Sequence, residues 1–411
     1  MANNHYVLPA GWRWAKLAEL LVALETGSRP KGGARGINSG VPSLSAEHMT
    51  RFGTFDFSEL RFVPQEFYEQ MPRGHIKRND ILIVKDGATT GKTAFVDEAF
   101  PFSKAVINEH VFLCRPDFGK VHPLYLFYFL WSSVGLAQIR QSYQGAAIGG
   151  INQTFIEKVI IPLPPINEQQ RIAERLNEQM ETVRQARCAT EKQLHSANGL
   201  PSAYLREVFG NSTKNKWGWQ KLGDICELLP AKTIKTNGDT IVTAITTACL
   251  SENGFLSTGL KSAHMDADDA EQALVQKGEI LIARSNTPEL VGRVSIYLGE
   301  PPKVFASDLT IRIWANPSCH PPFLTAYLSY LYLNGYWKQH AGGASGTMKK
   351  ITRSQVHEVM VPVPDINIQK KIMTEIQGQM DNIKQLYQSL ETQLTEINRL
   401  PSTLLRRAYS G

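Results

Sequence analysis

The sequence predicts an α+β protein with a pseudo-two-fold internal repeat: two globular domains joined by two long helices that form an antiparallel coiled coil. Three observations carry the prediction. A proline-led helical segment occurs twice, Pro162 recurring as Pro362 at an offset of 200 residues. Each copy shows heptad spacing of apolar residues. Each is preceded by a divergent segment of short alternating apolar runs.

The repeat is read directly. Pro162-Leu-Pro-Pro-Ile-Asn-Glu-Gln169-Gln-Arg-Ile172 stands against Pro362-Val-Pro-Asp-Ile-Asn-Ile-Gln369-Lys-Lys-Ile372. Asn198, Leu200, Pro201, Ser202, Leu205 and Arg206 recur as Asn398, Leu400, Pro401, Ser402, Leu405 and Arg406. Upstream, Trp14-Ala-Lys-Leu returns as Trp219-Gln-Lys-Leu, and Asn79-Asp-Ile-Leu-Ile as Gly278-Glu-Ile-Leu-Ile. The chain therefore divides into globular residues 1–161, helical residues 162–210, globular residues 211–361 and helical residues 362–411.

In the second helical segment Ile376, Ile383, Leu390 and Ile397 form one seam row and Met380, Tyr387 and Leu394 the other. Spacing by seven is the a/d pattern of a coiled coil. The first segment is weaker, with Leu176, Val183, Thr190 and Ala197 on one row and Met180, Arg187 and Leu194 on the other. Arg187 must snorkel or meet an acid there. Pro165 and Asp365 precede the helix starts, and Pro201 and Pro401 are expected to stop the helices. A helix of about 30 residues is roughly 45 Å long at about 1.5 Å per residue. That would hold two domains a little more than one turn of B-DNA apart, about 34–36 Å. Two amphipathic helices packed separately on their own domains are the competing arrangement.

The globular segments show strand-like runs. These are Asp80–Val84, Ala94–Val96 and His110–Leu113 in the first, and Ile241–Ile245, Glu279–Ala283, Val294–Leu298 and Leu309–Trp314 in the second. Each also carries one aromatic-rich helix after a proline, expected at Pro123–Gln141 and Pro322–Gln339.

Composition bounds the function. Of 411 residues, 42% are hydrophobic and 20% charged, which fits globular domains rather than disorder. Lys and Arg number 44 against 38 Asp and Glu, a balance of +6 that permits a polyanionic partner. Cys114, Cys188, Cys226, Cys249 and Cys319 are scattered, without a CxxC pair. This argues against disulfides and structural zinc, and for a reducing cytoplasm. The first residues have no basic-then-apolar leader pattern. The apolar run Leu124–Trp131 is far short of the roughly 20 residues that span a bilayer.

No catalytic signature survives inspection. Gly87-Ala-Thr-Thr-Gly91-Lys92-Thr93 is one residue short of a P-loop and leads into a strand, not a helix. It reads instead as a glycine-containing hairpin with a basic tip, echoed by Gly292-Arg293. His320-Pro321-Pro322-Phe323 has the wrong first residue for an adenine-methyltransferase motif. No Asp or Glu is followed two residues later by Lys, so the common nuclease pattern fails. HExxH and GxSxG are absent. No metal site is expected among the histidines.

What remains is basic, polar and glycine-rich. Lys and Arg in such loops suit phosphates, while Arg, Asn and Gln suit base edges. The DNA-contact candidates in the first globular segment are Arg29, Lys31, Arg35, Lys85, Lys92, Gln144 and Asn152. In the second they are Lys232, Lys235, Arg284, Asn286, Arg293, Lys349, Lys350 and Arg353. Ordinary solvated loops are the competing reading of each.

With these features the sequence resembles the specificity subunits of type I restriction–modification systems. The two P-x-P-x-I-N-x-Q copies, each followed by a heptad helix and preceded by a divergent domain, carry the resemblance. The first is close to the family's P-L-P-P-x-x-E-Q-x-x-I, and the D-I-L-I and W-x-x-x-x-L patterns match as well. The second departs at Ile368 and Lys371. The resemblance implies two target recognition domains, each reading one half of an asymmetric bipartite duplex site, with the coiled coil setting the gap. It implies a non-catalytic chain that binds two modification subunits and, through them, restriction subunits. S-adenosylmethionine, ATP and magnesium would be bound by those partners, and no cofactor by this chain. A structural adaptor with two protein-binding modules on a rod is the alternative that needs no DNA.

Overall fold

The computed structural model describes residues 8–33, 36–145, 149–210, 217–235, 238–252, 254–345 and 347–409. The chain forms two compact units, one of Met1–Glu191 with Thr392–Gly411 and the other of Lys192–Glu391. Each unit thus combines one globular segment, the first part of the helix that follows it, and the end of the other long helix.

Both units repeat one sheet plan. In the first, a four-stranded antiparallel sheet runs in the order Leu21–Thr26, Val111–Pro116, Ile81–Val84, Thr93–Phe95. In the second the order is Cys226–Leu229, Thr310–Ala315, Ile280–Ala283, Val294–Ile296. A three-stranded mixed sheet accompanies each. It contains Phe62–Val63, Val41–Leu44 and Val106–Ile107 in one unit, and Lys261–Met265, Thr240–Ile245 and Val304–Ala306 in the other. The Ile81–Val84 and Ile280–Ala283 strands are buried along their whole length, which is why both read as unbroken apolar runs.

The recurring motifs have structural explanations. The acid that opens the D-I-L-I run meets an arginine on the neighbouring strand. Asp80 accepts from Arg115 at 2.8 and 2.9 Å, and Glu279 from Arg312 at 2.8 Å through both oxygens. Burial pushes the Asp80 carboxyl up against the pull of Arg115 and the Lys77 N–H. In the tryptophan motif, Leu17 and Leu222 are core residues. The strands Arg13–Lys16 and Trp219–Lys221 pair with Ile160–Leu163 and Met360–Pro362. This pairing brings the start of each domain to the segment that opens its helix.

The glutamine of the proline motif is a clamp. Gln169 Oε1 accepts the His122 N–H at 2.8 Å while its Nε2 donates to the Pro164 carbonyl at 2.8 Å. Gln369 Oε1 accepts the His320 N–H at 2.7 Å, and its Nε2 donates to Ser318 and Pro364 carbonyls at 3.0 and 2.8 Å. Both side chains are buried. Each ties the orphan N-terminus of an aromatic helix to the start of a long helix.

The aromatic helices are interrupted where single helices were expected. Ser132 ends Pro123–Trp131 and caps Ser133–Arg140 by accepting from the Gly135 N–H at 3.1 Å. Pro321–Leu333 is separated from Tyr336–His340 by Gly335 at φ 76°.

The proline stops are also corrected. The first long helix, Ile166–Ala197, ends before Asn198-Gly199, and Pro201 lies in the first turn of Leu200–Gly210, where its missing N–H costs no bond. The second runs unbroken over 44 residues, Ile366–Tyr409, with Pro401 inside it. Gly199 of the first copy is Arg399 in the second, a far better helix former. Beyond Pro401 the helix is anchored by buried Leu405 and by Tyr409, whose ring packs edge-on against Tyr125 and Phe129.

Within each unit the helices run antiparallel. In the first, Ile172, Ala173 and Leu176 share a core with Leu405, and Met180 and Arg187 line a cavity with Asn398 and Pro401. In the second, Ile376 shares a core with Leu205 and Phe209, while Tyr387 bonds Asn198 at 2.7 Å. Leu176, Ile376, Leu390 and Ile397 are buried. Met180, Val183, Leu194, Met380, Ile383, Tyr387 and Leu394 are half-buried.

Candidate nucleic-acid interface

In the second unit, a small sheet of Ser285–Asn286, Met348–Lys350 and Gly342–Ser345 gathers candidates that are far apart in sequence. Asn286 pairs with Lys349 and Ser285 with Lys350. Arg284 joins them, its carbonyl accepting the Ile351 N–H at 2.8 Å. Arg284 Nη1 donates to the Asp308 carbonyl at 3.1 Å, and the Asp308 N–H donates to the Lys232 carbonyl at 3.0 Å. Arg284, Asn286, Lys349, Lys350 and Lys232 therefore form one neighbourhood.

Several cations there are already engaged. Lys232 pairs with Asp269 at 2.9 Å, and Lys235 with Asp266. Arg353 donates to the Leu229 carbonyl at 2.6 Å and to that of Leu228, closing the edge of the large sheet. Asn286 Oδ1 accepts the Thr287 N–H at 2.9 Å. Among the described residues, Lys349 and Lys350 have no acidic partner within salt-bridge distance, and Lys350 is exposed.

The first unit assembles a matching cluster without a regular sheet. Asp86 and Gln144 both bridge to Gly150, and the Lys85 carbonyl accepts the Ile151 N–H at 2.8 Å. This places Lys85, Gln144 and Asn152 together. Asn152 Oδ1 accepts from Thr154 N–H at 3.0 Å. Lys85 Nζ donates to the Glu109 carbonyl at 3.1 Å, and Arg29 pairs with the Glu109 carboxylate at 2.7 Å. His110 Nδ1 meets Asp86 at 2.7 Å. Lys31 is exposed without an acidic partner among the described residues, and Arg35 lies outside them.

Lys92 and Arg293 stand apart from both clusters. Lys92 Nζ donates to the Ala46 and Met49 carbonyls at 2.9 and 2.8 Å, and burial pushes its pKa down. Arg293 Nη1 donates to the Leu250 carbonyl at 3.3 Å and Nε to Tyr332 at 3.4 Å. The basic residue after each hairpin glycine is turned towards a neighbouring segment of its own unit.

Sequence reasoning missed Asp86 and Glu109, the carboxylates that pair with Lys85 and Arg29 in the first cluster, and His110, which bonds Asp86. Their alternation along Lys85-Asp86 and Glu109-His110 was visible, but their meeting across two strands was not. Among the described residues, no group of three or more His, Cys, Asp or Glu is placed to hold a metal ion. No helix among them is long and apolar enough to cross a membrane. The arrangement offers hydrogen-bond donors, amides and positive charge on loops carried by rigid sheets, which is chemistry for recognition.

Comparison with known proteins agrees with this reading. A family model for the type I restriction modification DNA specificity domain matches the chain twice, at residues 9–187 and 214–396. The StySPI specificity subunit of Salmonella potsdam is 21% identical, covering 99% of this chain and 90% of the relative. The EcoKI specificity subunit of Escherichia coli K12 is also 21% identical, over 98% and 89%. Two solved structures share the fold. One is a chain from work on complex assembly and conformational transition of the type I R-M system, with TM-score 0.71, 19% identity and coverage of 98% and 99%. The other is the HsdS subunit of Thermoanaerobacter tengcongensis, with TM-score 0.62, 19% identity and full coverage of both chains. With both halves matched by the same domain, this chain belongs to the type I restriction–modification DNA specificity family.

Proposed function

We infer that the chain is a sequence-specific duplex-DNA-binding subunit that directs type I modification and restriction subunits to an asymmetric bipartite target. One observation carries the reading: a single fold is built twice, and in each copy loops that differ in sequence gather basic and amide side chains at the same place on the large sheet. Two diverged readers on one repeated frame suit a site with two different halves. Each unit would read one half-site, and the helix pairs would set the unspecified gap between them. The adaptor reading without DNA is not favoured, because both halves match a DNA specificity domain.

Catalysis belongs to the partners in this account. Two modification subunits would methylate adenine with S-adenosylmethionine, and restriction subunits would hydrolyse ATP with magnesium, all in the cytoplasm. The contribution of this chain is affinity and register. In this reading Lys31, Lys349 and Lys350 would meet phosphates, and Gln144, Asn152 and Asn286 base edges.

The test is duplex binding by the chain, purified with its modification partners, across a salt series. Phosphate contacts give a steep fall of log K with log salt, about 0.9 per contact. The Lys349→Ala/Lys350→Ala variant should lower that slope by about 1.8 if both lysines meet phosphate. Binding that ignores salt and sequence would contradict the reading.

A further inference from the structure

The first unit contains a cavity of about 530 Å³ between its globular segment and its helix pair. That volume falls within the roughly 300–1,000 Å³ of small-molecule sites. One wall is a stack of aromatic rings. Phe95 and Phe127 stack at 5.2 Å between centroids, and Phe127 and Trp131 at 5.7 Å with planes only 8° apart. The helices supply Arg187 and Asn398.

Two buried polar atoms of this lining have no hydrogen-bond partner: the Arg187 Nε donor and the Asn398 Oδ1 acceptor. The Arg187 guanidinium lies 3.5 Å from the centroid of the Phe52 ring, with only a loose 3.9 Å ion pair to Glu191. A buried polar group left unpaired is destabilising, because its lost hydration is not replaced. The helix pair itself does not demand this. The equivalent residues of the second unit, Tyr387 and Asn198, bond one another at 2.7 Å.

The chemistry of the lining describes its occupant. An aromatic wall takes a flat π-face. The free N–H asks for an acceptor, and the free amide oxygen for a donor. A nucleobase offers all three in one small planar group. The lining holds three acids, Asp97, Glu98 and Glu181, against two arginines; Glu181 pairs with Arg184 at 2.6 Å, and Glu98 has only a loose 3.9 Å pair to Arg78. That acidic edge disfavours a phosphate.

We propose that this cavity binds a neutral nucleobase, presented either as a free nucleoside or as an unpaired base of a DNA strand. The proposal goes beyond duplex reading and does not depend on it. Calorimetric titration of the full chain with adenosine, guanosine, cytidine and thymidine tests the free form. Comparison of a duplex carrying one unpaired base with its fully paired counterpart tests the strand-borne form. Saturable binding is expected in at least one arm. It should weaken at least tenfold in Asn398→Leu and in Arg187→Leu, and stay unchanged in Asn198→Leu of the second unit. In the free arm, the 5′-monophosphate should bind more weakly than its nucleoside. No binding in either arm, or an Asn398→Leu protein that binds like the parent, would overturn the proposal.

Discussion

In the second unit Tyr387 donates to Asn198 across the antiparallel helices at 2.7 Å, whereas the equivalent pair of the first unit, Arg187 and Asn398, makes no such bond. Arg187 leaves the seam for the ring of Phe52, in the globular segment of its own unit. The deeper closures show the opposite pattern. Gln169 and Gln369, and the Asp80–Arg115 and Glu279–Arg312 pairs, are reproduced at corresponding places. The difference teaches which parts of the repeat are frame. Closures that join strand to strand within the large sheet and domain to helix are kept, while seam and loop residues are free to diverge.

The largest expected effect sharpens the comparison of the buried pairs. Glu279 and Arg312 are only 0% and 3% exposed, and Arg312 also donates to the carbonyls of Pro230, Gln272 and Leu274. Arg312→Met strands a buried carboxylate and should destabilise the second unit by about 3–5 kcal/mol. Arg115 is 19% exposed, so Arg115→Met should cost the first unit less. Hydrogen exchange along Ile280–Ala283 and Ile81–Val84 reads the two separately, and equal losses would break the distinction.

The glutamine clamps come next. Gln169→Leu and Gln369→Leu each leave a buried N–H and carbonyl unpaired, at about 1–3 kcal/mol. Gln369 makes one more bond than Gln169, so its loss should be the greater in a denaturant titration. The seam follows. Tyr387→Phe should cost about 0.5–1.5 kcal/mol, the net worth of one hydrogen bond. Arg187→Met, which loses a cation–π contact, should cost about 0.5–2 kcal/mol. The two should separate by unit when exchange is followed along Lys192–Glu391 and along Ile166–Glu191.

The smallest effect is on pH dependence. Burial holds both His122 and His320 below their ordinary pKa of 6.5. Glu174 opposes that shift at His122, and Lys370 adds to it at His320. A histidine depressed in the folded state is protonated more readily when unfolded. Stability is therefore retained above about 6.5 and declines as pH falls below it. Thermal melts from pH 7.5 to 5.5 should show this decline, flattened more by His320→Gln than by His122→Gln.

Much of the frame was legible in the sequence because it is written in period and repetition. The buried strands appeared as the runs Asp80–Val84 and Glu279–Ala283, and the helices as heptads. The fate of Pro401 was misread because the proline rule outweighed a local signal, Gly199 in one copy against Arg399 in the other. The positions of the cations were not legible. Lys92 finds its carbonyls at Ala46 and Met49, and Arg353 at Leu228 and Leu229, through pairings that no local spacing encodes. The glutamine clamps were in plain view as a repeated residue, but their partner, the backbone of the aromatic helix, leaves no sequence signal.

The central claim is that each half of the repeat reads its own half-site. The direct measurement replaces residues 211–361 with the equivalent domain of a relative and maps adenine methylation in a host supplying the partner subunits. The account predicts that one half-site changes while the other half-site and the gap stay the same. A change in both half-sites, or in neither, would contradict it.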